Sequence, residues 1–464
     1  MLKLKSLLRF LLVALLVNPP LVGCVSLVER SHQQQSKPVA SVSTPTVSMR
    51  KLKDITNHSF RAVWIASVHN MDWPTEASKL ILDPKERVSV QKAELGKLLD
   101  KVVELGMNAV ILQVKPSDDA LYRSNLLPWS RYLTGTLGKD PGFDPLAYAI
   151  EQAHIRGLQL HAWLNPYRVS TDIMPETTTE LLACPTTVYA RNPDWVRIAH
   201  QRYVLDPGLP SVRHWIEQIV EELITCYPID GLHFDDYFYY EAEDSRLADD
   251  DTYRRYGQGF ANKADWRRNN TYLLIQAISR KIKAIRPQIT FGISPSGVWR
   301  NKSDDPRGSK TAVLNPHYDT AYADTYRWVR EGLLDYIAPQ VYWSHELLIA
   351  PYDVIVNWWS ELVKDTPTKL YIGVALYKVG KEFCYQIEGK RVVDRGWIQA
   401  NGVPEIKRQL AINESFPRVN GSILFSGSYL WEPQTQSVVA YLKSHWGKPE
   451  LSRAYINQHG TGDD

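Results

Sequence analysis

Asp230-Gly231-Leu232-His233-Phe234-Asp235-Asp236-Tyr237-Phe238-Tyr239 is the stretch on which the fold turns. It reads as a short apolar strand ending in two adjacent carboxylates and then a run of aromatics. Successive side chains of a strand point to opposite faces. Leu232 and Phe234 suit a face covered by helices, whereas Gly231, His233 and Asp235 share the other face. Asp235 then rises from the floor of any cleft above the strand, and Asp236 joins it only if the backbone bends there. Two neighbouring carboxylates repel when both are ionised, so the pair is expected to titrate as a unit with one pKa raised. Such a group can serve as a general acid near neutral pH. An acid pair is also what glycoside hydrolysis requires: one group protonates the leaving oxygen and another manages positive charge at the anomeric carbon. Alone, Asp-Asp reads equally well as a cap or a turn. His233 reads as a buried hydrogen-bonding partner rather than a base.

The rest of the chain alternates β-rich runs with amphipathic helical stretches. Strands are expected at 62–66, 109–114 and 158–164, in the opening stretch, and at 289–293, 336–341, 370–375 and 421–426. Helices are expected around 95–103, 144–156, 210–226, 266–286, 319–331, 352–364, 402–415 and 436–446, with Gly157 ending the second. Eight βα units in succession, with no Gly-x-Gly-x-x-Gly turn after any strand, favour a closed (β/α)8 TIM barrel over an open doubly wound sheet. Pro339 is a local objection, because proline cannot donate to a strand ladder.

In such a barrel the site lies at the carboxyl ends of the strands, and there the sequence turns polar and aromatic. Long connections at 115–143, 166–208, 236–264 and 295–318 fall on that rim and are expected to form a groove for an extended ligand. Candidate substrate contacts are Gln113, Asn165, Tyr167, Arg168, Tyr342 and Trp343. Trp73, Trp163, Trp299 and Trp343 are candidate stacking faces, each equally readable as core.

Of the 464 residues, 44% are apolar, enough for a large core, and 15 Trp and 25 Tyr supply flat faces on which sugars stack. Lys3, Lys5 and Arg9 precede an apolar run at 7–17 that is short for a membrane span. Leu21-Val22-Gly23-Cys24 resembles a bacterial lipobox, which makes 1–23 a signal peptide and Cys24 the lipidated first residue. Val25 after the cysteine favours the outer membrane in a Gram-negative cell. Residues 25–56 read as a flexible tether. Removing the leader's three basic residues takes the formal charge from +3 to about zero, which gives no electrostatic argument for nucleic acid. Cys184 and Cys226 are not expected to pair, because a helix should separate them by about 22 Å. No spacing suggests a metal site, and no cofactor is implied.

Several stretches together resemble the glycosyl hydrolase-like family 10 over about 57–446. They are Arg61-Ala62-Val63-Trp64-Ile65-Ala66, Asn108-Ala109-Val110, Gln113-Val114, His161-Ala162-Trp163-Leu164-Asn165-Pro166-Tyr167-Arg168, Leu205-Asp206-Pro207-Gly208 and the opening motif. Leu232, where Ile or Val is expected, is a conservative departure. The resemblance implies a TIM barrel at 57–446, with 447–464 left as a tail. It also implies cleavage of peptidoglycan glycan strands, those lacking stem peptides, by an outer-membrane lipoprotein facing the periplasm. By analogy with hexosaminidases that use the substrate's 2-acetamido group as nucleophile, Asp235 would orient that group and Asp236 would act as general acid and then base. The competing mechanism pairs Asp236 with a carboxylate from another strand, such as Glu346 or Asp119. A non-catalytic glycan-binding lipoprotein linking wall and membrane is the alternative function, and an α-glucan-acting barrel enzyme is a third.

Overall fold

The structure is a computed structural model that describes residues 59–239, 247–387 and 390–447. Cys24, the tether and residues 448–464 lie outside the described residues. Eight parallel strands close into a barrel: β1 (Phe60–Ile65), β2 (Ala109–Lys115), β3 (Gln159–Leu164), β4 (Gly231–Phe234), β5 (Thr290–Ile293), β6 (Tyr336–Ile337), β7 (Lys369–Ala375) and β8 (Val419–Phe425). They pair in chain order, and β8 returns to β1 in parallel register, Phe60 beside Gly421 and Trp64 beside Phe425.

One helix packs outside each strand: α1 (Pro84–Glu104), α2 (Pro145–Ile155), α3 (Pro210–Cys226), α4 (Lys263–Ile285), α5 (Thr325–Arg330), α6 (Tyr352–Leu362), α7 (Val403–Ser415) and α8 (Gln436–Trp446). Their limits are written locally. Asp83 and Asp144 cap α1 and α2 by accepting from the Glu86 and Ala147 N–H groups, each with proline in the first turn. Gly157 follows α2 at φ +72°, the left-handed conformation that glycine adopts without a Cβ penalty. On α3, Trp215, Ile216, Ile219, Val220 and Leu223 are buried as one stripe, as their spacing predicts.

Two differences from the sequence reading have physical causes. Strand six stops at Ile337, because Pro339 has no N–H to continue the ladder. Its carbonyl accepts instead from the N–H groups of Gly373 and Val341 at 2.9 and 3.1 Å. Gln340 then rejoins the sheet by bridges to Ser296 and Gly373. The rim also carries structure that barrel counting passed over. A hairpin of Val196–Ala199 and Arg202–Leu205 follows β3, and another of Phe383–Ile387 and Lys390–Asp394 follows β7.

The barrel interior is packed rather than open. Phe60, Trp64, Trp163, Tyr336, Tyr371 and Ile423 form an inner cluster separate from the shell between sheet and helices, which holds Leu232 and Phe234. Phe60 and Tyr371 stack at 4.2 Å. The Tyr336 hydroxyl lies 2.9 Å from His233 Nδ1 and 3.0 Å from His161 Nδ1. Trp64 Nε1 donates to His233 Nε2 at 3.2 Å, so that nitrogen accepts and Nδ1 carries the proton. His233 therefore donates to Tyr336, and Tyr336 donates to His161. Burial pushes His161 down to about 4 and His233 well below its usual range, so both rings are neutral.

The large interior rings are admitted by glycines. A Cβ on Gly231 would lie 2.4 Å from the His161 ring, and one on Gly292 would lie 2.0 Å from the Tyr336 ring. Gly292→Ala should therefore displace Tyr336 and both histidines. We expect it to destabilise the barrel by about 1–3 kcal/mol, read from the urea midpoint at unchanged m-value.

Candidate active site

At the carboxyl end of the barrel, parity and register assemble a polar run across three strands. β3 and β4 pair Leu164 with Phe234, so the next residues, Asn165 and Asp235, meet above them. Asn165 Nδ2 donates to Asp235 Oδ2. Asn165 Oδ1 accepts from Gln113 Nε2 at 2.6 Å. Gln113 Oε1 accepts in turn from the Ser67 and Val68 backbone N–H groups at 3.0 and 2.9 Å. All three side chains are buried, so an unpaired atom in this run would be costly, and each fixes the next.

Beyond Phe234 the chain leaves the strand and bends. Tyr237 N–H folds back onto Asp235 Oδ1 at 3.3 Å, and Phe238 N–H reaches the Asp236 carbonyl at 3.2 Å. His317, buried beneath the turn, donates from Nε2 to the same carbonyl at 2.9 Å. This is the bend that Asp236 needs to enter the cleft. Its carboxyl takes a hydrogen bond from the Gln340 side chain, and Gln340 is anchored by Nε2 to Ser294 O at 2.9 Å. Asp235 thus faces the β2–β3 side of the cleft and Asp236 the β5–β6 side.

Burial pushes Asp235 up to about 7, and the adjoining Asp236 charge adds to the rise. Arg168, the Tyr237 N–H and Asn165 oppose it. Burial also raises Asp236, against the pull of His317, Gln340 and Arg168. The two carboxyls behave as one unit that keeps a proton far above the ordinary carboxylate range. Lys115, buried below them with Nζ on the carbonyls of Ser117 and Asn165 at 2.8 and 3.0 Å, is drawn down to about 8 by burial.

Aromatic rings wall the Asp236 side. Tyr342 meets Tyr377 edge-on at 5.8 Å and lies 6.1 Å from Phe425, and Tyr377 lies 6.3 Å from Tyr429. All four remain partly exposed. Asp72 fixes the far end of that wall, accepting from Ala66 N–H at 2.7 Å, Ser426 Oγ at 2.9 Å and Ser428 N–H at 2.7 Å.

Residues 59–388 match the family described as glycosyl hydrolase-like 10. The chain belongs to that family. Glycosyl hydrolase DigH of Escherichia coli (strain K12) is 47% identical over 419 residues, 89% of this chain and 93% of the relative. Glycosyl hydrolase YngK of Bacillus subtilis (strain 168) is 46% identical over 374 residues, 80% of this chain and 68% of the relative. Among solved structures, the PgaB (BpsB) glycoside hydrolase domain from Bordetella bronchiseptica is similar at TM-score 0.47 and 14% identity, over 82% of this chain and 98% of that one. That likeness is too faint to bear on chemistry. Membership in the glycosyl hydrolase-like 10 family makes this chain a glycosidase acting on a glycan, and the non-catalytic alternative falls away.

Within this family 10 barrel the sequence-derived candidates separate. Asp235, Asp236, Asn165 and Gln113 are brought together, with Gln113 holding Asn165 from behind rather than facing the groove. Arg168 and Tyr342 flank the pair on opposite sides, each close enough to Asp236 for electrostatic interaction. Tyr167 is not in the groove. It is fully buried in the outer core near Arg213 and Asp206, because the strand ends at Leu164 and the alternation that would put Tyr167 on the face of Asn165 no longer holds. Trp343 is partly buried, and a Cβ on Gly297 would lie 2.8 Å from its ring.

Trp73 and Trp299 are wholly buried, Trp73 donating to Gln91 O at 2.8 Å, and Trp163 belongs to the inner cluster. None of these three presents a stacking face. Asp119 accepts from Ser130 Oγ at 2.6 Å and Ser117 N–H at 3.1 Å, and Glu346 points outward. His317, Gln340, Tyr377 and Phe425 were not singled out from the sequence as site residues. Only their places at or just beyond strand ends, or in a rim connection, could have marked them.

Asn165→Ala removes a hydrogen bond that favours ionised Asp235, so the Asp235 pKa should rise above about 7. We expect kcat to fall roughly a hundredfold with a smaller change in KM. The acid limb of the pH–rate profile should move to higher pH; a limb that stays in place would contradict this role.

Proposed function

We propose that this glycosidase cleaves the glycan strands of bacterial peptidoglycan, those freed of stem peptides, using the substrate's own 2-acetamido group as nucleophile. The supporting observation is the pair itself. Two consecutive carboxyls share one cleft, Asp235 fixed through Asn165 and Asp236 leaning toward Gln340 and Tyr342. Asp119 is engaged in its own hydrogen bonds, and Glu346 is exposed. This favours the acetamide route over an opposed pair. Peptidoglycan sugars carry the acetamido group at every residue.

In the proposed first step, the acetamide oxygen attacks the anomeric carbon as the bond to the leaving oxygen breaks. Asp236 gives its proton to that oxygen. Asp235, ionised, accepts the acetamide N–H and offsets the positive charge of the oxazolinium. In the second step Asp236, now a carboxylate, takes a proton from water as the water opens the oxazolinium at the anomeric carbon. Two inversions give net retention. The aromatic wall of Tyr342, Tyr377 and Phe425 offers faces for neighbouring sugars. We also propose that lipid on Cys24 and the tether through residue 56 hold the barrel at the outer membrane, facing the periplasm, within reach of the wall.

Asp236→Asn should reduce cleavage of purified peptide-free strands at least a thousandfold while leaving strand binding intact; unchanged cleavage would remove Asp236 from the mechanism. The working form holds one proton on the pair, so activity should fall on both sides of an optimum. The acid limb marks uptake of a second proton by the pair, and the descending limb marks loss of the proton that Asp236 must give, a loss that burial moves to higher pH than for an ordinary carboxyl. Inversion at the anomeric carbon, seen by NMR of fresh products, would exclude acetamide participation.

A further inference from the structure

Pro339 ends the β6 ladder early, yet the residues just beyond it are firmly held. Four in a row are each gripped by a side chain from the β7–α7 side. Tyr342 O accepts from Lys378 Nζ at 2.6 Å, and Trp343 O accepts from Gln409 Nε2 at 3.2 Å. Ser344 donates through its N–H and its hydroxyl to the two Asp394 carboxyl oxygens. His345 donates through its N–H to Glu405 Oε1 at 3.1 Å, and its Nδ1 lies 2.8 Å from the same oxygen.

Lys378 is the costly member of this set. It closes the short turn Leu376–Lys378 after β7 and is only 4% exposed. Its Nζ also donates to Tyr385 Oη at 2.6 Å. The rings of Phe383, Tyr385 and Tyr377 surround it at 4.7, 5.4 and 5.8 Å. Burial draws it down to about 8, with Asp394 opposing, so it is still a cation at neutral pH. A methionine would fill the space of the stem without the cost of burying a charge. What the ammonium adds is its grip on a carbonyl that no strand partner holds. Tyr377 precedes Lys378 directly, so one turn places both wall rings: Tyr377 by the chain, and Tyr342 through its carbonyl.

This wall stands on the Asp236 side of the cleft, close enough for the Asp236 charge to act on Tyr342. In the step proposed above, Asp235 holds the acetamide of the reacting sugar and Asp236 protonates the oxygen that joins it to the next. The line from Asp235 to Asp236 therefore points to the leaving sugar, which lies toward the reducing end of the strand. We propose that Lys378 is a positioning residue: through the Tyr342 carbonyl it sets the Tyr342 ring, beside Tyr377, as the seat of the leaving sugar. The assignment rests on the peptidoglycan reading and on Asp236 as its acid, and it gives the groove a direction.

The test uses peptide-free strand fragments of one defined length, with heavy oxygen at the reducing end, and reads product lengths by mass. Wild type should avoid the bonds nearest the labelled end, because a cut there leaves the wall empty. Tyr342→Ala should lift that avoidance and raise KM roughly tenfold, with kcat less affected. Lys378→Met should shift the cuts the same way, raising the share nearest the labelled end roughly threefold, and Lys378→Arg, which keeps a charged donor, should shift them less. Adding Lys378→Met to Tyr342→Ala should shift them little further, whereas a lysine that merely supports the fold would act alike in both backgrounds. A cut pattern is a ratio, so it is insensitive to the fraction of variant that folds. Should Lys378→Met not fold, Lys378→Gln, whose amide stops short of the Tyr342 carbonyl, takes its place. A wild type that cuts nearest the label as readily as elsewhere, or a shift toward the unlabelled end, would overturn the seat. A shift in Tyr342→Ala that the Lys378 variants do not share would overturn the role of the lysine. Each of these leaves the peptidoglycan reading standing; no cleavage of the fragments by wild type would overturn that reading and the seat with it.

Discussion

The hydrogen bond from Asn165 to Asp235 is the contact on which the site depends, and it exists because of register. Leu164 lies beside Phe234 in the β3–β4 ladder, so the two residues that follow must meet on the axial side of the barrel. A slip of one residue in either strand would turn one of them toward the helices. Closure of the barrel fixes that register from both directions, since no edge strand remains free to shift. The interior glycines belong to the same constraint. They allow His161 and Tyr336 to fill the space below the aspartates, so that the floor is neutral and packed.

The two aspartates differ through what supports them. Asp235 directly follows the last strand residue and is held there by Asn165. Asp236 sits on the turn, and its direction depends on His317 beneath the carbonyl and Gln340 beside the carboxyl. Gln340 is placed by the irregularity at Pro339, which ends β6 early and lets the chain rejoin the sheet further along. A feature that first counts against a strand is therefore part of what orients a reacting group.

The barrel was legible because its signal is repetitive. Eight alternations of strand and helix tolerate errors at any one boundary, and β6 shrinking to two residues did not disturb the count. Parity was equally readable for Asp235, since Leu232 and Phe234 could face only the helices. The same argument misplaces Tyr167: parity puts it on the face of Asn165, but two residues beyond Asn165 the chain is no longer a barrel strand, and its ring lies in the outer core. Tryptophans were the least readable, because a ring suited to stacking on sugar is equally suited to core, and Trp73 and Trp299 became core. His317 comes from a connection whose path is set by tertiary contacts, and no local pattern announces it.

The run that ends on Asp235 has a direction. Backbone N–H groups donate to Gln113, Gln113 donates to Asn165, and Asn165 donates to Asp235. Every member is an amide, and none can gain or lose a proton at physiological pH. The line therefore transmits position but not protons. Asp235 is grounded mechanically to the first βα loop and insulated chemically from everything behind it. Any proton it takes or releases must cross the open side of the cleft, through Asp236, water or the sugar.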